Sequence, residues 1–324
     1  MFRQVRKHAA SYSSIGYRGS SPTPPAGVEY LTFTAQQSNS SVALISLLST
    51  APNMEYSTDG GQTWSDWPYT TVEGVYSFNI ITLGSVGDAV KLRGINPGGF
   101  VSDDGEQYSA FTMSGKIAAS GNAQTIVDGD NPTLTAKPMP CFSSDETSDV
   151  LTQAPALPAT TLAEYCYDGM FYGCTGLTQA PALPATTLAE YCYDGMFYGC
   201  TGLTQAPALP ATTLAEYCYD GMFYGCTGLT QAPALPATTL AEGCYDGMFY
   251  GCTGLTQAPA LPATTLAEYC YDGMFARCTF DMSDDGSTFN FDCAATLPQT
   301  VSGITYSTPY DLAQWMGNTN GFTN

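Results

Sequence analysis

The sequence predicts a mainly β protein: an N-terminal antiparallel β-sandwich followed by a solenoid of 26-residue α/β repeats, with a cap at each end. Three observations predict it. Leu151 to Gly176 reads LTQAPALPATTLAEYCYDGMFYGCTG and starts again at Leu177, Leu203, Leu229 and Leu255, so five near-identical copies cover residues 151–280. A fixed period of this length marks a solenoid, because one such copy cannot bury its own apolar face and neighbours must stack. From Val28 onward, the runs VEYLTFTA, VALISLL, NMEYS, VYSFNI and AVKLRGI alternate with Asn/Ser, Asp-Gly-Gly and Gly-Asp turns, the pattern of a small antiparallel sandwich. Finally, 324 residues with 44% apolar side chains suffice for two or three cores.

Residues 1–27 form a basic arm and a Pro-rich linker. Arg3, Arg6, Lys7 and Arg18 lie there without any acid in the first 20 residues, whereas the whole chain carries net charge −20. These four cations are the candidate anchor, and Ser20 to Pro25 favours an extended spacer. The acidic body repels polyanions, which argues against nucleic-acid binding. No apolar run is long enough to span a bilayer, and the first 20 residues lack the apolar core of a signal peptide, so neither membrane insertion nor a secretory address is expected.

Residues 28–115 are expected to form the sandwich, Ig-like in size and pattern. Within it, Ser57-Thr-Asp59-Gly-Gly61-Gln-Thr63-Trp64 resembles the Asp-box of sialidases and related β-proteins, a hairpin turn remote from catalytic centres in that family. One copy without an arginine triad points to a structural turn. Residues 116–150 are expected to be a linker and leading cap, in which Cys141 and Phe142 resemble a degenerate repeat.

In each copy of the array, Pro155 and Pro158 allow only a short extended rung. Thr161 and Glu164 form an S/T-x-x-E capping box, which predicts a two-turn helix limited by Gly169. Leu162, Cys166 and Met170 would be its core stripe. Residues 281–324 are the C-terminal cap, with a short helix from Pro309 to Met316 capped by Thr308.

The segment Phe171 to Leu177 carries a family resemblance. Phe171, Gly173, Cys174, Leu177 and Pro184 resemble the BspA-like leucine-rich repeats, found in surface proteins of oral and gut bacteria and in phages that infect gut bacteria. The resemblance implies a leucine-rich-repeat solenoid, and covers about two fifths of the chain. Alanines replace the family's usual isoleucines, and the last copy reads Ala276-Arg277 where the others have Tyr-Gly, as suits the end of an array.

Ten of the 12 cysteines fall in two columns, beginning at Cys166 and Cys174, and are expected to be buried free thiols. Their spacing without histidine is a poor zinc pattern. The sole histidine is His8, so no Ser-His-Asp, Cys-His or His-metal set is expected in the body, and no catalytic, cofactor-binding or metal residue is assigned. The Glu164 and Asp168 pair recurs in every copy and is expected to be a solvated acidic ridge. The candidate interaction surface is tyrosine: Tyr165, Tyr167 and Tyr172, then Tyr191, Tyr193 and Tyr198, then Tyr217, Tyr219 and Tyr224. Gly243 stands in the Tyr165 column, which therefore should be partly exposed.

These features lead to the expectation of a non-enzymatic phage structural protein: a head fibre, decoration protein or tail-fibre component assembled in host cytoplasm. The N-terminal part would join other virion proteins, the repeats would meet a host surface protein or glycan, and a homo-oligomer is expected. The alternatives are a bacterial cell-surface adhesin and, last, a carbohydrate-active enzyme.

Overall fold

The computed structural model describes residues 27–143, 147–279, 293–301 and 303–317. The basic arm and residues 280–292 and 318–324 lie outside the described residues. The protein is mainly β, with several sheets and none closed.

One sheet contains β1 (Leu31–Ala35), β3 (Met54–Ser57), β4 (Ser65–Asp66), β8 (Ala89–Gly94), β10 (Ile117–Ser120) and β12 (Leu151–Gln153), in the order β12-β10-β1-β8-β3-β4. The facing sheet contains β2 (Ser40–Ser46), β5 (Tyr69–Val72), β6 (Val75–Phe78), β7 (Ile81–Leu83) and β9 (Ser109–Ser114), with β9 paired along β2. Alternation decides which residues face inwards: β1 buries Leu31, Phe33 and Ala35 and leaves Thr32 and Thr34 half-buried. Phe33 on one sheet meets Phe111 on the other edge-to-face, at 4.9 Å between ring centres.

Residues 116–150 do more than link. β10 pairs antiparallel with β1 and parallel with β12, the first strand of the repeats, so the sandwich sheet runs into the array without a break. The short helix α1 (Thr125–Asp128) packs beside β8, where the buried Asn96 amide donates to Ile126 O at 2.7 Å. The nearly buried Arg93 holds this segment through Asp130 at 2.9 Å and Glu55 at 2.7 Å. Phe142 packs against Phe33, Phe111 and Phe171 at 5.6, 5.2 and 5.3 Å, joining both parts in one core.

The five copies stack in register. β11 (Thr135–Ala136) pairs in parallel with β13 (Thr161–Leu162), and parallel bridges join Thr161 to Thr187 and Thr213 to Thr239. Phe171, Phe197, Phe223, Phe249 and Phe275 form one ring column with steps of 5.6–5.8 Å.

The expected helix is replaced by a ribbon of turns. Tyr165, Gly169 and Gly173 have φ of +54°, +54° and +66°, so every fourth residue is left-handed and an α-helix cannot propagate. Backbone N–H groups alternate in destination. Those of Cys166, Met170 and Cys174 close turns onto the carbonyls three residues back. Those of Tyr165, Tyr167, Gly169, Phe171 and Gly173 donate to the next copy, at Glu190, Cys192, Asp194, Met196 and Tyr198. Thr161 lies in β13 and caps no helix. Leu162, Cys166 and Met170 are buried as expected, because a chain of four-residue turns also returns every fourth side chain to one face.

The array needs an acceptor row at its far end. There α2 (Pro309–Trp315), capped by Thr308 in a box with Asp311, leads to carbonyls that stand in for a sixth copy: Gly273 N–H donates to Trp315 O and Phe275 N–H to Met316 O. Before it, β14 (Gln299–Val301) and β15 (Ile304–Tyr306) form a small hairpin. Trp315 stacks on Tyr306 at 4.7 Å and meets Tyr271 edge-on.

Candidate functional site

The three tyrosine columns have different fates. Tyr165, Tyr191 and Tyr217 stack at 5.1 Å with interplanar angles of 3° and 8°, each half-buried. Tyr172, Tyr198, Tyr224 and Tyr250 form a second half-buried ladder with steps of 4.4–4.7 Å. The third column is not a surface: Tyr167, Tyr193 and Tyr219 are at most 2% exposed. Their rings stack inside the array beside the Cys166 and Cys192 thiols, and burial raises the Tyr167 phenol well above its ordinary range. The interaction surface therefore loses these three residues to the core.

In the two surface ladders the ring faces are occupied by each other, so the edges and hydroxyls remain. The loop from Ser102 to Gln107 covers the first ring, since a Cβ on Gly105 would lie 2.9 Å from Tyr165 Cε1. This loop repeats the logic of the Asp-box: Ser102 Oγ donates to Asp104 and accepts from Gln107 N–H, as Ser57 Oγ donates to Asp59 and accepts from Gly61 N–H. The Thr63 hydroxyl and amide and the Ser57 hydroxyl hold the Asp59 carboxyl well below the usual carboxylate range. Both turns are structural. A serine followed two residues later by aspartate and then glycine was the available signal for the second.

At the far ends the ladders differ. The second is closed by Arg277, whose guanidinium lies 5.3 Å from the Tyr250 ring centre. In the first, Gly243 takes the tyrosine's place. A Cβ there would lie 2.2 Å from Tyr217 Cε1, so the Tyr217 ring lies against the glycine, and Tyr217 Oη donates to Glu242 Oε1 at 2.7 Å. Beyond this glycine Tyr269 is 43% exposed.

The acidic ridge also divides. Glu164, Glu216 and Glu268 are exposed, whereas Asp168, Asp194, Asp220, Asp246 and Asp272 form a half-buried column. Burial, reinforced by neighbouring aspartates, pushes Asp220 up to about 7 and Asp246 up to about 6 and raises Asp194, and burial alone raises Asp168. The aspartates are thus a half-buried column and not a freely solvated face.

All 12 cysteines are unbridged, with 11 buried and Cys293 half-buried. The Cys200, Cys226 and Cys252 thiols each donate to a phenylalanine carbonyl of the preceding copy at 3.0 Å. Among the described residues, no group of three or more His, Cys, Asp or Glu is disposed to hold a metal ion, and no helix is long and apolar enough to cross a membrane. Arg3, Arg6, Lys7 and Arg18 lie outside the described residues.

No family model matches the chain, and no solved structure matches it. A stretch of 73 residues is 33% identical to an endo-acting ulvan lyase of Formosa agariphila, covering 22% of this chain and 14% of that protein. What this chain displays is a set of columns that offer the same side chain at most successive steps, broken at Gly243 and Ala276.

Proposed function

We propose that the chain is a non-enzymatic structural protein of a phage particle, a head fibre, decoration protein or tail-fibre component. In this reading the array is a leucine-rich-repeat solenoid of the BspA-like kind, held out from the particle by the sandwich and the basic arm. The observation that carries it is the register of the stack: the surface columns repeat while the backbone of each copy is tied to the next, and the first strand continues the sandwich sheet. Such an object presents one surface many times at a fixed spacing, which suits adhesion to a host surface protein or glycan. Oligomerisation on the particle would multiply that valency.

The experiment is to purify particles from lysates, image the tagged protein on them, and repeat with residues 1–20 deleted. The proposal expects the full chain on particles and the truncated chain folded, soluble and absent from them. Recovery from the bacterial envelope instead would favour the adhesin, and cleavage of a glycan by the purified protein would favour the enzyme.

A further inference from the structure

We propose that the cleft between the β5–β6 turn and the segment after β2 binds a neutral pyranose unit of a glycan. This deepens the reading of the chain as an adhesive protein, on which it rests for its purpose, by placing a glycan contact on the sandwich.

The cleft has a volume of about 410 Å³, within the range of small-ligand sites. Three segments meet there: Leu47 and Leu48 follow β2, Val75 and Tyr76 open β6, and Gln107 ends the loop that begins at Ser102. The two leucines, the valine and the tyrosine are half-buried and form an apolar floor, whereas Ser49, Glu73 and Gln107 are exposed around it. The Tyr76 ring is held from two sides. Its hydroxyl donates to Ser49 O at 3.2 Å, and Tyr69 meets it at 85° with 5.5 Å between ring centres. Among the described residues, the Glu73 carboxylate and the Gln107 side-chain amide have no hydrogen-bond partner in the protein.

Glu73 is the unexpected residue of the cleft. With Gly74 it makes the two-residue turn between β5 and β6, at φ +50° and +81°. Positive φ at both positions marks the type I′ hairpin turn, which asparagine, aspartate or glycine fills with least strain. Glutamate is a costly choice there, and its exposed side chain recovers none of that cost in contacts within the fold. What it does is carry a carboxylate to the cleft.

A pyranose presents a face of C–H groups and a girdle of hydroxyls that both donate and accept. The apolar floor with its fixed ring suits the face, and a carboxylate, an amide and a hydroxyl suit the girdle. The Glu73 carboxylate and the net charge of −20 disfavour an acidic sugar. An ammonium group has no acceptor, so it could use Glu73 but not the N–H donors of Gln107.

Calorimetric titration of the full chain tests this with the methyl glycosides of glucose, galactose, mannose and N-acetylglucosamine, and with methyl glucuronide and tri-lysine amide. Wild type should bind at least one of the neutral glycosides, and the glucuronide and the peptide at least about tenfold more weakly. Ser49→Trp fills the cleft from an exposed position and should abolish binding with an unchanged melting curve. Glu73→Asn suits the turn, so it should melt no lower than wild type while binding several-fold more weakly. No binding of any neutral glycoside, equal or tighter binding of the glucuronide or the peptide, or unchanged glycoside binding in either variant would each overturn the assignment. Glycoside binding that survives Ser49→Trp would leave the adhesive reading standing with its glycan contact elsewhere, and absence of the protein from particles would leave the titration unaffected.

Discussion

In the sandwich, Phe33 meets Phe111 edge-on and Arg93 is clamped between Glu55 and Asp130, contacts that have no repeated counterpart in the sandwich. In the stack, Phe197 lies 5.6 Å from Phe171 and 5.6 Å from Phe223, nearly parallel to both, and those two neighbours are chemically interchangeable. The sandwich is specified by unlike contacts and the stack by like ones. The difference has a physical consequence. A shift of the stack by one whole copy would replace most contacts by like ones, so the ends help to fix the alignment. Phe142 and the pairing of β10 with β12 fix one end, and the carbonyls of Trp315 and Met316 fix the other.

The largest expected effect is therefore at the junction. Phe142→Ala should cost about 3–5 kcal/mol, because Phe142 is fully buried among rings from both parts. In a Trp315→Phe background, guanidinium denaturation followed by Trp64 and Trp67 fluorescence and by circular dichroism should show one transition with Phe142 present and separate transitions in Phe142→Ala.

A smaller effect distinguishes the parts by pH. The folded stack holds Asp168, Asp194, Asp220 and Asp246 above their unfolded value near 4, so it binds more protons than the unfolded chain. Stability from this source is complete below about pH 4 and is lost as pH rises through about 6 to 7. The melting temperature of the stack should fall between about pH 5 and about pH 8. Asp220→Asn should recover on the order of 1–2 kcal/mol at the upper end, after discounting for partial solvent screening.

The smallest effect is a gain. Tyr219 Oη is buried without a hydrogen-bond partner, so Tyr219→Phe should stabilise the stack by about 1 kcal/mol in the same denaturation assay.

Much of the architecture was legible because it rests on alternation and period. The runs around Phe33, Leu44 and Leu92 read directly as strands, the period gave the stack, and Thr308-Pro309 gave the last helix. The strand at Ile117 was hidden in a segment that reads as a linker, since IAAS is too short and small to signal pairing alone. The helix expected from Thr161 failed for a specific reason: Leu162, Cys166 and Met170 are four apart, and a helix face and a ribbon of four-residue turns share that step. The distinguishing signal was the column of Tyr165, Gly169 and Gly173, where two glycines four apart mark recurring left-handed positions. At the candidate surface, Gly243 correctly pointed to a half-exposed Tyr165 column. Nothing in residue type separates Tyr167 from Tyr165; only the direction of each turn buries one and exposes the other.

The central claim is that neighbouring copies stack in register, and engineered cysteines on the exposed threonine column test it most directly. Thr230 Oγ1 lies 3.5 Å from Thr204 O in the adjacent copy. Copies one strand step apart, about 4.8 Å, fall within the about 4.4–6.8 Å Cα separation that a disulfide spans. Thr204→Cys with Thr230→Cys should therefore cross-link rapidly within one folded chain under mild oxidation, as read by proteolysis and mass spectrometry. The pair Thr204→Cys with Thr256→Cys, two copies apart, should not, and the buried native thiols should stay unreacted. Failure of the adjacent pair, or equal cross-linking of the distant one, would contradict the in-register stack.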